Sequence, residues 1–195
     1  MQLNIALKEW SATIHALASG DQLFLLRKGG IRETNRRFEL PHRRFLLYST
    51  HFHEADLLLK PKFQHLVDST DSVARETVVF KAFAEVADVL SVNDADALDA
   101  LSELHIWSDE FVTKRIAWKP RHAADLIVLK TYTLPTPVRM PVEPHHKGCK
   151  SWVEIDPSIE IAGSKPAIPE PEWVDRAQRI RLLLSGSSAK PVLAA

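Results

Sequence analysis

The sequence predicts an α+β fold built on a small, strongly curved mixed β-sheet, with flanking helices and a C-terminal helix. Three observations predict it. Short apolar runs suited to a sheet interior recur at Leu23 to Leu26, Phe45 to Tyr48 and Asp125 to Leu134. A longer run alternates, with Val78, Phe80, Ala82, Ala84 and Val86 at every second position. Both chain ends carry helical spacing: Leu3, Leu7, Trp10, Ile14 and Leu17 at one, and Trp173, Ile180, Leu183 and Leu184 at the other.

In order, the first pattern predicts a helix through Leu17, with Gly20 where a left-handed cap would end it. A strand from Gln22 to Lys28 follows, then the Gly29-Gly30 turn, then a second strand ending at Thr50. Lys60-Pro61 opens a short helix, since a proline at the first helical position loses no useful N–H. Glu76 to Val92 reads as one long strand. Asn93 to Asp96 starts a helix that buries Leu98, Leu101 and Leu104, and Ser108-Asp109-Glu110 starts another that Pro120 stops. Asp94, Asp96, Asp109 and Glu110 therefore read as capping residues. After the Asp125 to Leu134 strand, Pro135, Pro137, Pro141 and Pro144 predict irregular extended chain. Lys150 to Ile155 is a last strand. The layout is one domain over 1–155, a linker or wrapping arm over 156–170, and a helix with a frayed tail over 171–195.

At 195 residues, 45% apolar and 26% charged, the chain is long enough for a real core. No run nears the ~20 apolar residues that cross a bilayer, and the N-terminus lacks the features of a signal peptide. Cys149 is the single cysteine, which excludes an intrachain disulfide and fits a reducing cytoplasm.

The zero net charge hides a segregated layout. Leu23 to Thr50 holds seven Lys and Arg against Glu33 and Glu39, a net +5, and Phe111 to Lys130 carries a net +4. The stretch between them, Glu54 to Glu110, carries a net −9. If the two basic segments meet, they make a hollow that attracts phosphate-bearing partners. Arg27, Lys28 and Arg32 would contact phosphate, with Arg115 and Lys119 from the second segment. Gly29 and Gly30 would let backbone N–H groups approach an oxyanion. Tyr48 and Trp118 would stack on a base beside Thr50 at the strand mouth, unless both are core. The expected partners are RNA, single-stranded DNA or a nucleotide, with no membrane and no cofactor. Binding without catalysis is the favoured reading.

Two alternatives come from different classes. A metal-dependent hydrolase or nuclease would use Glu33 or Glu39 with Lys28, or His51 and His53, which point the same way on an extended chain. Cys149 beside His145 and His146 offers a nucleophile. A protein-interaction domain would present the last helix to a partner.

Several segments resemble a bacterial family known as a domain of unknown function, number eighteen-zero-two. They are ALKEW, LLRKGGIRE, FLLYST with a following histidine, HIW, the run from Arg115 to Pro120, and GCKSW. Members tend to carry YPTYEHQ where this chain reads Tyr48 to Glu54. The resemblance implies no activity. The order of elements is also similar to that of PUA-like barrels, including ASCH and EVE domains, which implies a small mixed barrel that binds RNA or modified bases.

Overall fold

Two long antiparallel strands, β4 (Thr77–Val92) and β5 (Ala124–Pro141), form the spine of a seven-stranded sheet. The structure is a computed structural model and describes residues 1–28, 40–50, 58–68, 76–92, 95–118, 123–148 and 150–186. The remaining strands are β1 (Gln2–Trp10), β2 (Phe24–Arg27), β3 (Arg44–Thr50), β6 (Trp152–Glu160) and β7 (Lys165–Pro166). Their order is β2-β5-β4-β3-β1-β6, with β7 added to β5. β1 and β3 run parallel and the other pairs are antiparallel, so the sheet is mixed. Helices α1 (Ser11–Ser19), α2 (His65–Asp68), α3 (Ala95–Asp99), α4 (Asp109–Ala117) and α5 (Glu170–Gly186) flank it.

The sheet curls strongly. Arg27, at the end of edge strand β2, donates to the Lys8 carbonyl of β1, four places away in the strand order. The long strands manage this curl by breaking register. Lys81 alone on β4 faces the four residues 134–137 on β5, and a second shift falls between Val86 and Asp88. Such bulges bend a strand and increase its twist. As a result β4 feeds three separate apolar clusters: Val78 and Phe80 enter one, Ala82 and Ala84 a second, Leu90 and Val92 a third.

The predicted N-terminal helix is corrected. Residues 2–10 form β1, and only Ser11–Ser19 is helical. From Ile5 onward the residues alternate between two clusters, Ile5 and Leu7 in one and Ala6 in the other. Pairing on both edges supplies the strand hydrogen bonds that an isolated segment would lack. Gly20 does cap α1 in the left-handed conformation, at φ 81°.

The irregular segment expected after Leu134 is corrected as well, because β5 continues to Pro141. Pro135 and Pro137 sit in the register gap, where the ladder asks for no N–H, so the strand tolerates them. The stretch 156–170 is tied to the sheet: β6 runs on to Glu160 against Gln2, and β7 pairs Lys165 and Pro166 with Thr133 and Tyr132.

Helix α5 packs on the domain. Ala177, Ile180 and Leu184 are buried in the largest cluster, and the Trp173 indole donates to the Leu129 carbonyl at 2.9 Å. The face that an interaction domain would offer to a partner is therefore already covered by the chain itself.

Candidate functional site

The last residues of three strands meet in one place. Trp10 ends β1, Arg27 ends β2 and Thr50 ends β3, and all three line a cleft of about 150 Å3. Glu9, Thr13, Trp107, Phe111 and Arg115 complete its walls with Lys8, Leu26 and Leu58. Parallel pairing of β1 with β3 sets Trp10 opposite Thr50, whose hydroxyl donates to the Glu9 carbonyl at 2.9 Å. The curl of the sheet then delivers Arg27 across the gap.

Charge is concentrated here. Arg27 pairs with the Glu9 carboxylate at 2.8 Å, both side chains being about six-sevenths covered (14% and 15% exposed). The other Glu9 oxygen accepts from the Trp10 backbone N–H at 2.8 Å, fixing the carboxylate's orientation. Arg115 comes from the last turn of α4 and reaches the Leu26 carbonyl at 3.5 Å. Burial, and then the positive Arg27, push the Arg115 guanidinium below its ordinary pKa, while Glu9 pulls it back. It remains a cation, because a free guanidinium starts far above neutral pH. Its Nε lies buried without a hydrogen-bond partner among the described residues. Arg27, paired with Glu9, and Arg115 thus line the same partly desolvated cleft.

Lys28 stands behind them. Its side chain is buried and its amine donates to the Ile116 carbonyl at the carboxyl end of α4. Burial first, and then Arg115, lower its pKa. A helix carboxyl terminus attracts cations, so Lys28 ties β2 to α4 and helps to place Arg115.

The far wall is aromatic. Trp107 and Phe111 stack with centroids 5.4 Å apart, and Trp10 lies 6.3 Å from Phe111. The Trp107 indole donates to Thr13 Oγ1 at 3.3 Å. Ser108 caps α4 by accepting from the Phe111 N–H, which holds Phe111 and Arg115 on one short, fixed helix.

A family model described as "Domain of unknown function (DUF1802)" matches residues 6–179. The chain belongs to the DUF1802 family. The match spans the cleft and both helices that close it, so the site lies within the family domain. Two crystal structures of mutant forms of ZmASCH from Zymomonas mobilis are similar to this DUF1802 chain. One has a TM-score of 0.45 at 12% identity, covering 78% of this chain and 88% of that one. The other has a TM-score of 0.44 at 13% identity, with 78% and 90% covered. No curated protein matches the chain.

Of the residues singled out in the sequence, Arg27, Thr50 and Arg115 line the cleft together, with Lys28 behind them. Tyr48 does not line it. Its ring is buried edge-on against Phe80 and His146, with the Lys8 ammonium 5.7 Å from its centroid, and burial raises its hydroxyl pKa. Trp118 caps α4 and is 36% exposed, outside the cleft lining. Gly29, Gly30, Arg32 and Lys119 lie outside the described residues, as do Glu33, His51, His53 and Cys149. His145 and His146 form a turn whose rings both reach the Glu154 carbonyl. Among the described residues no group of three or more His, Cys, Asp or Glu is placed to hold a metal ion.

Glu9, Trp10, Thr13, Trp107 and Phe111 are cleft residues that the sequence reading left out of the site. Assigning residues 3–17 to one helix scattered Glu9 and Trp10 over its faces. The available signal was the apolar alternation of Ile5 and Leu7 leading into Glu9, which fits a strand as well as a helix.

Proposed function

We propose that this domain is a binding module for nucleic acid or nucleotides, and that the cleft between β1, β2, β3 and α4 engages phosphate. The observation that carries the reading is that Arg27, paired with Glu9, and Arg115 line one cleft walled by aromatic rings. Guanidiniums bind phosphate oxygens through paired N–H donors, and partial burial strengthens each such bond. Trp10 and Phe111, both half-buried, supply faces on which a base adjoining the phosphate can rest.

Fluorescence anisotropy with a labelled single-stranded oligoribonucleotide, and with its DNA counterpart, tests this. Affinity is expected to fall steeply between about 50 and 200 mM salt, as counterion release requires. Absence of binding at the lowest salt refutes the reading.

A further inference from the structure

We propose that the gap between β5 and β6 is a second ligand site, one that takes a small organic amine with its apolar body between the strands and its ammonium group on Asp156. The site lies at the other end of β1 from the cleft, and the inference goes beyond the phosphate-binding reading without depending on it.

The gap is where the rolled sheet does not close. Beyond Thr133, β5 pairs with β4 alone, and β6 pairs with β1 alone, among the described residues. Both strands line one cavity of about 560 Å3. Glu160 on its wall pairs with Gln2 at the start of β1, whereas Trp10 at the end of β1 lines the cleft. The volume falls within the roughly 300–1,000 Å3 of pockets that enclose a whole small ligand. The floor is apolar: Val138, Met140 and Ile159 line it and pack in the cluster that holds Phe80, with Pro141 and Pro157 at the rim. An organic body seated there removes apolar surface from water.

The rim is unsuited to an added strand. The Val142 N–H donates to the Glu76 carbonyl, so even-numbered residues at this end of β5 turn their backbone groups to β4 and odd-numbered ones turn theirs to the gap. The odd positions are Pro137, Arg139 and Pro141, and proline has no N–H to donate. A lip with so few donors offers an extended peptide no ladder. A compact molecule needs none.

Charge selects the ligand. Arg139, Asp156 and Glu160 line the cavity, and the N-terminal ammonium stands beside Glu160. Glu160 is paired with that ammonium at 2.6 Å and also accepts from the Ala162 N–H. Arg139 donates to Thr77 Oγ1 at 3.2 Å, which draws it to the β4 side, away from the gap. Asp156 makes no hydrogen bond or ion pair among the described residues. The charge left facing the gap is therefore an anion, and an ammonium complements it. An exposed pair of this kind contributes modestly, so the apolar floor supplies most of the affinity and Asp156 decides between an amine and its neutral or acidic analogues.

The test is a titration of the full chain at pH 7 and low salt, followed through the backbone amide signals of isotope-labelled protein. The probes are tryptamine, tryptophol and indole-3-acetate, an amine, an alcohol and an acid built on one ring. Tryptamine is expected to bind up to about fivefold tighter than tryptophol, the yield of one exposed ion pair. Indole-3-acetate should bind weakest, and the signals that shift should be those of Val138 to Met140 and Ser158 to Glu160. Asp156→Asn, at an exposed position, is expected to bring tryptamine down to the level of tryptophol and to leave tryptophol unchanged. Equal affinity of the wild-type chain for tryptamine and tryptophol overturns the inference without need of a variant. So do tightest binding of indole-3-acetate, which would make Arg139 the deciding charge, shifts centred on Trp10 and Thr50, and a tryptamine preference that survives Asp156→Asn. Failure of all three probes to bind also overturns it. Absence of oligonucleotide binding refutes the cleft reading and leaves this inference standing.

Discussion

Acid should loosen the aromatic wall of the cleft through His105. This side chain is 3% exposed, edge-on to Phe24 and with its ring 5.3 Å from that of Trp107. Burial, with the positive Lys60 adding to it, lowers its pKa from 6.5 to about 4. The unfolded chain therefore binds a proton at pH values where the folded chain does not. Stability linked to His105 is fully present above pH 6.5 and is lost progressively as pH falls toward 4. A difference of about 2.5 units corresponds to roughly 3 kcal/mol over that window. Urea denaturation at steps from pH 7 to 4, for the wild-type chain and for His105→Leu, reads it directly. His146, whose pKa burial also lowers, titrates in both proteins, so the difference between the two curves isolates His105. The variant is expected to lose less stability as pH falls. Parallel curves for the two proteins would refute the argument.

Two other substitutions test the frame around the cleft. Gly20→Ala drives a Cβ into Ile168 Cγ2 at a positive φ, so a loss of about 1–3 kcal/mol is expected in the same denaturation assay. Glu9→Gln removes the carboxylate that pairs with the largely covered Arg27, and a cost of about 2–3 kcal/mol is expected after allowing for residual solvent contact. In that variant, added inorganic phosphate should restore part of the lost melting temperature, since a ligand that binds only the folded state stabilises it.

What could be read from the sequence was what neighbours decide. The strand of Phe45 to Thr50, the long β4, the start of α4 at Ser108 and the glycine cap at Gly20 each depend on residues close by in the chain, and each stands where expected. β1 depends on β3 and β6, whose residues lie 40 and 145 or more positions away, so Leu3, Leu7 and Trp10 satisfied a helical period with nothing local to oppose it. That misreading hid Glu9, and with it the reason Arg27 is turned inward. The arginines were visible as charge. Their convergence was not, because it comes from the curl of a sheet whose bulges are set by pairings far apart in sequence. Tyr48 illustrates the same limit: a tyrosine at a polar strand mouth looks accessible until the packing of Phe80 and His146 closes over it.

The central claim is that Arg115 is a cation held for an incoming phosphate. The most direct measurement is single-stranded RNA affinity at low salt for the wild-type chain, for Arg115→Met, and for Arg139→Met, whose arginine is exposed and lies outside the cleft. The account predicts that Arg115→Met loses about tenfold or more in affinity, while Arg139→Met binds as the wild type does. Equal weakening by both substitutions, or by neither, would contradict it.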